Sequence, residues 1–147
     1  MFLRLVQGLA VAALLAARAA AQTPPPTDKP FAEHHIVLQL SDRAPDKQLL
    51  VLSVSYNLIK AYGPDKISVV VVAFGPGIDL LRSGSPNRAR VDSLISQGVE
   101  FDICMNTVDT LEREGKHVNI NPKAVRVQVG VGRILELTEK GYSIVRP

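Results

Sequence analysis

The chain has 147 residues, 46% of them hydrophobic, with 17 basic residues, 14 acidic residues and a single cysteine. This length suits one domain with a core large enough to fold alone. Aromatic residues are sparse and no run of Lys or Arg is present, so we expect no nucleic-acid partner.

Residues 1–21 have the pattern of a secretory signal peptide. Arg4 precedes an apolar run from Leu9 to Ala17, and Ala19-Ala20-Ala21 resembles a cleavage site. The apolar run is shorter than the roughly 20 residues that span a bilayer, although an uncleaved membrane anchor remains the alternative. We therefore expect a periplasmic or secreted protein with no stable membrane insertion after cleavage.

A proline-rich segment follows the signal peptide. Residues 22–32 contain Pro24-Pro25-Pro26 and Pro30, which favour an extended linker. We expect the folded domain to occupy residues 33–147.

The first half of this domain predicts a strand, a helix and a second strand. His34–Leu40 is a β-rich run, and a helical apolar pattern runs from Pro45 to Gly63. Lys66–Phe74 is apolar at every central position, as expected for a parallel strand covered on both faces. Gly75-Pro76-Gly77 follows and is interpreted as a tight structural turn, because it lacks the lysine and the length of a phosphate-binding loop.

The second half continues the alternation of strands and helices. Asn87 predicts the cap of a helix that ends at Gly98, and Val99–Cys104 alternates like a strand. Asn106 or Thr107 can then cap a short helix that ends near Glu114. Residues 125–129, 131–140 and 142–145 predict a fourth strand, a helix and a fifth strand.

This alternation predicts an α/β domain with a mostly parallel five-stranded sheet and helices on both faces. The strand order stays open, but four strand-to-helix junctions are expected at one sheet edge, where ligands bind in such folds. The fourth of these junctions is Gly130-Val131-Gly132. The residues that we expect to bind a ligand at the other three are Ser41, Asp42, Gly75, Pro76, Gly77, Asn106 and Thr107.

Cys104 is the candidate catalytic residue at this edge. A single cysteine excludes an internal disulfide, so the thiol is an inert buried group, an intermolecular partner or a reactive group. The positive end of a following helix favours the thiolate. Asp102 should face the same side, and its ionised carboxylate would disfavour the thiolate. It could instead pair with Arg82, Arg88 or Arg90.

No metal site or cofactor is expected from the remaining residues. His34 and His35 are adjacent on a strand and therefore point to opposite faces, so they cannot easily share an ion with His117. The acidic residues show no paired-carboxylate spacing typical of catalysis, and no G-x-S-x-G motif is present.

Three segments together resemble the DsrE/DsrF-like family. They are Phe74-Gly75-Pro76-Gly77 after a valine-rich strand, the run from Gly98 to Thr107, and the closing run from Gly141 to Pro147. The resemblance implies a three-layer α/β/α fold and a homo-oligomer, often a trimer or hexamer. In the sulfur-relay branches a cysteine at the position of Cys104 carries a persulfide. Those relay proteins work in the cytoplasm, whereas this chain has a predicted export signal.

Three functional hypotheses follow. The first is a sulfurtransferase-like sulfane-sulfur carrier that exchanges sulfur at Cys104 with a thiol-bearing donor or acceptor protein. The second is a non-catalytic ligand- or partner-binding oligomeric module in which Cys104 is structural. The third is a redox role through an intermolecular disulfide.

Overall fold

The computed structural model describes residues 29–147, so the predicted signal peptide and residues 22–28 of the predicted linker lie outside the described residues. The order of strands and α-helices matches the order predicted from the sequence, and a 3-10 helix is present where a turn was predicted. The elements are β1 His34–Leu40, α1 Pro45–Tyr62, β2 Ile67–Ala73, a 3-10 helix Gly75–Leu81, α2 Arg88–Ser96, β3 Glu100–Cys104, α3 Met105–Arg113, β4 Val125–Val127, α4 Gly130–Glu139 and β5 Ser143–Val145.

The five strands form one all-parallel sheet in the order β4-β3-β2-β1-β5. The chain moves in one direction from β1 to β4, and α4 then carries it back across the sheet to β5. Crossovers between parallel strands are right-handed, so the reversal of direction puts α4 on the opposite face from the earlier helices. The domain is therefore a three-layer α/β/α fold, which confirms the predicted class.

Two apolar clusters lie on the two faces of the sheet. The larger one joins the sheet to α1, the 3-10 helix, α2 and α3, with Phe101 and Ile103 contributed by β3. The smaller one lies under α4, where Ile134 and Leu137 pack on valines of β1 and β2. Every residue of β2 is buried, as its continuous apolar run predicts.

Side-chain alternation on β3 places three polar residues on the face that α4 covers. Phe101 and Ile103 belong to the larger cluster, so Glu100, Asp102 and Cys104 point to the opposite side. Contacts with α4 confirm this orientation, since Gly130 touches Cys104 and Arg133 touches Asp102. Within residues 29–147, none of the helices combines the length and apolar character needed to cross a bilayer.

Candidate functional site

Cys104 lies where two helices begin. It is the last residue of β3 and the N-cap of α3, as the predicted strand-end position requires. Its Sγ accepts a hydrogen bond from the backbone N–H of Gly130, the first residue of α4, at 3.2 Å. When protonated, the thiol donates to the carbonyl oxygen of Gln128 at 3.8 Å. The sulfur is therefore next to the positive ends of both helices, which favours negative charge there.

The first turn of α4 also covers the thiol. Cys104 is only 6% exposed. A Cβ atom at Gly130 would lie 3.0 Å from Cβ of Cys104 and 3.1 Å from Cβ of Phe74. Glycine is thus needed at this position for the backbone N–H to come within hydrogen-bond distance of the sulfur.

The predicted capping role of Asn106 and Thr107 is wrong. Helix α3 begins at Met105, so both residues lie in its first turn, and no side chain caps the helix. Asn106 instead pairs twice with Gln128: its N–H donates to the Gln128 carbonyl oxygen at 3.1 Å, and its Oδ1 accepts from Gln128 Nε2 at 2.6 Å. Thr107 Oγ1 accepts from the N–H of Gly75 at 3.0 Å. These bonds connect α3 to the chain after β2 and to the chain after β4.

Gly75-Pro76-Gly77 begins a 3-10 helix rather than forming an isolated turn. A Cβ atom at Gly77 would lie 2.3 Å from the carbonyl oxygen of Leu40. This glycine therefore lets the 3-10 helix pack against the end of β1, and it does not line the cavity that contains other predicted ligand-binding residues.

Ser41 and Asp42 follow β1, which is separated from β3 by β2. Asp42 is exposed, and its Oδ1 accepts the N–H of Ala44 at 2.8 Å just before α1. The two residues lie at the expected sheet edge but not beside Cys104.

A cavity of about 400 Å³ brings together four of the predicted ligand-binding residues. Gly75, Pro76, Asn106 and Thr107 line it, and Arg43 and Asp79 contribute charged groups that lie 3.7 Å apart. The cavity lies between the 3-10 helix and α3, whereas the side chain of Cys104 faces α4. The structure thus separates the predicted binding residues from the predicted reactive thiol, although both lie at one edge of the sheet.

Asp102 pairs with Arg133, so the predicted partners Arg82, Arg88 and Arg90 are wrong. Arg133 Nε donates to Asp102 Oδ2 at 3.0 Å, and Arg133 Nη2 donates to Glu100 Oε1 at 3.1 Å. Arg82 pairs with Asp79, Arg88 pairs with Asp92, and Arg90 lies in a groove between α1 and α2.

Burial raises the pKa of Asp102 to about 8, and the neighbouring charge of Glu100 adds to this effect. The hydrogen bond and positive charge of Arg133 oppose the rise but do not overcome it. Asp102 is therefore mainly uncharged at neutral pH. The expected conflict between an ionised Asp102 and a thiolate at Cys104 does not arise under those conditions.

Glu100 and Arg133 were missed by the sequence analysis. The alternation Glu-x-Asp-x-Cys, in a strand whose other residues are apolar, places three polar side chains on one buried face. That pattern signals a need for a cation, but Arg133 lies 31 residues beyond Asp102 in the chain.

The rings of His34 and His35 make aromatic contacts. The ring of His34 lies 4.5 Å from that of Tyr62, and the ring of His35 lies 5.1 Å from that of Tyr142. Among the described residues, no group of three or more His, Cys, Asp or Glu side chains could hold a metal ion.

Comparisons with known proteins support the fold. No protein-family model matches the chain, and no curated protein matches it. A solved structure, that of MTH1491 from Methanobacterium thermoautotrophicum, a protein of unknown function, is similar with a TM-score of 0.70 and 27% identity. The similarity covers 78% of this chain and 100% of that one.

Proposed function

We propose that the protein is a sulfane-sulfur carrier in which Cys104 forms a persulfide. The observation that carries this proposal is the N–H of Gly130, aimed at Sγ of Cys104 at 3.2 Å. In the loading step the Cys104 thiolate attacks the outer sulfur of a donor persulfide, and the donor leaves as its thiolate. In the transfer step an acceptor thiolate attacks the outer sulfur on Cys104. The Cys104 thiolate that leaves is stabilised by the same N–H group.

The DsrE-like assignment belongs to this proposal. It is supported by the sequence resemblance and agrees with a five-stranded parallel sheet that has the cysteine at the end of β3. An exported, periplasmic or secreted location rests on the predicted signal peptide.

A homo-oligomer, with a trimer or hexamer implied by the resemblance, is also part of the proposal. Val131 and Leu135 are four residues apart on α4 and are 59% and 58% exposed, and Val129 before them is 51% exposed. These exposed apolar side chains lie beside the first turn of α4, which covers Cys104, and they support the proposal that this surface is buried against another protein. Light scattering on a Leu135→Asp variant tests this, with Lys140→Asp as a control at the C-cap of the same helix. Only the first variant should lower the oligomeric mass.

Intact mass spectrometry of the mature, folded protein tests sulfur carriage directly. We expect incubation with a sulfane-sulfur donor to add one or more sulfur atoms, and a reductant to remove them. The Cys104→Ser variant should gain none. A thiol that gains no sulfur and stays unlabelled until the protein is denatured would refute the proposal.

A non-catalytic binding module is the second candidate, and two observations favour it. The thiol is 6% exposed, and the cavity beside α3 has about 400 Å³ of space without Cys104 in its lining. A screen of small-molecule fragments by ligand-observed NMR would test this function. Binding that survives Cys104→Ser but is lost when Thr110→Trp fills the cavity would support it, whereas loss of binding in Cys104→Ser would count against it.

A further inference from the structure

The buried face of β3 carries two carboxyl groups and one thiol in a row. Successive residues of a strand rise about 3.3 Å, so Asp102 lies about 7 Å from Cys104 along the strand and Glu100 about 13 Å. Glu100 is 8% exposed, Asp102 has no exposed surface, and Cys104 is 6% exposed. A charge on either acid therefore acts on the thiol with little screening by water, and a charge on Asp102 acts more strongly.

The charges around Asp102 do not balance if both acids are ionised. On β3 its titratable neighbours are Glu100 and Cys104, and on α4 they are Arg133 and Glu136. Glu136 is 63% exposed and lies at the solvent end of the Arg133 side chain. The neighbouring positions on β2 and β4 that share the Asp102 face are valines, namely Val70, Val72, Val125 and Val127, while Arg126 takes the opposite face of β4. Two buried acids thus face one buried guanidinium.

The environment of Asp102 Oδ1 indicates that Asp102 holds a proton. Asp102 Oδ2 accepts from Arg133, whereas Asp102 Oδ1 has no access to water and meets no donor among residues 29–147, so Glu100 is the side chain left to share a hydrogen bond with this carboxyl group. An ionised carboxylate whose buried oxygen meets no donor is strongly disfavoured, whereas a protonated Asp102 can donate to the carboxylate of Glu100. The raised pKa of Asp102 agrees with this geometry.

We propose that Glu100 and Asp102 retain one proton between them, held on Asp102, and that this proton controls the reactivity of Cys104 by keeping negative charge away from its sulfur. Asp102 is then a positioning residue for the thiol, which deepens the proposed function and rests on Cys104 being its reacting group. When Asp102 loses the proton, a negative charge two residues from Cys104 on the same buried face disfavours the thiolate. Reactivity then rises less steeply with pH than that of an ordinary thiol.

Two variants that each remove one carboxyl group test the proposal, because they act in opposite directions. Asp102→Asn imitates the protonated state at every pH. Glu100→Gln removes the neighbouring negative charge, which lowers the pKa of Asp102, so a larger fraction of its carboxyl groups is charged at neutral pH. A merely structural role for the cluster would not separate the two variants in this way.

The readout is the rate constant for alkylation of Cys104 by iodoacetamide in the folded protein, from about pH 6 to about pH 10. At about pH 9, we expect the wild type to react about 10-fold more slowly than Asp102→Asn. At about pH 7, we expect Glu100→Gln to react about 3-fold more slowly than the wild type, because Asp102 carries more negative charge in this variant. The effect is limited because Arg133 neutralises part of that charge. Carboxyl ¹³C NMR should show Asp102 titrating in the wild type far above the ordinary range of an aspartate.

Identical pH profiles for the wild type and Asp102→Asn would overturn the proposal, as would an Asp102 that is ionised throughout by NMR. A folded wild type that is not alkylated at all would overturn it together with sulfur carriage. The two otherwise fail separately. Sulfur loading with unchanged pH profiles refutes only the role of the proton, and the expected profiles without any sulfur adduct refute only the carrier function.

Discussion

Replacing Asp102 by asparagine should change the way in which stability depends on pH. The folded-state pKa of Asp102 is about 8, against an ordinary value of 3.8. Between these values the folded protein holds a proton that the unfolded chain has released, so the wild type takes up a proton on folding. The stability that Asp102 contributes is fully present below its ordinary pKa, and it is lost as pH rises through its folded-state pKa. The asparagine variant has no proton to take up at this position.

The size of the effect follows from proton linkage. One proton taken up on folding changes the free energy of unfolding by about 1.4 kcal/mol per pH unit. From about pH 5 to about pH 7, the wild type should therefore lose about 3 kcal/mol relative to Asp102→Asn. The difference should stop growing above the folded-state value of about 8.

Urea unfolding at a series of pH values, followed by circular dichroism, measures this difference. Both chains should also carry Cys104→Ser, so that the thiol contributes nothing to the pH dependence of stability. Stability curves that run parallel from about pH 5 to about pH 8 would show that Asp102 is ionised in the folded protein. That result would refute the charge argument for the buried cluster.

Three further substitutions and one control test the packing and hydrogen bonding at the edge of the sheet. Gly77→Ala should lower the free energy of unfolding by about 3 kcal/mol, because its Cβ would lie 2.3 Å from a backbone oxygen. Gly84→Ala is its control, with nothing within 4 Å, and should change stability by less than about 0.5 kcal/mol. Gly130→Ala should destabilise by about 2 kcal/mol and change the alkylation rate of Cys104, because the new Cβ displaces the sulfur or the helix. Thr107→Val should cost about 1 to 2 kcal/mol in urea unfolding, because it leaves a part-buried N–H at the start of the 3-10 helix unpaired.

Much of the fold follows from local patterns. The apolar run of β2 requires cover on both faces, and it is buried at every residue. Pro45 begins α1 and Gly63 ends it, because proline suits a first helical turn and glycine readily adopts the positive φ of 88° found there. The position of Cys104 at the end of a strand could also be predicted from the alternation of β3, although the helix begins at the next residue, before the predicted caps.

The relations between distant segments could not be predicted in this way. The sequence by itself determined the elements, the α/β class and the shared face of Asp102 and Cys104, since these depend on the periods of strands and helices. Only the tertiary structure decided the strand order, the cover of the thiol by Gly130 and the pairing of Asp102 with Arg133. The return of α4 across the sheet brings a helix start and a guanidinium onto β3. Side-chain periodicity carries no information about which distant helix will cover a strand.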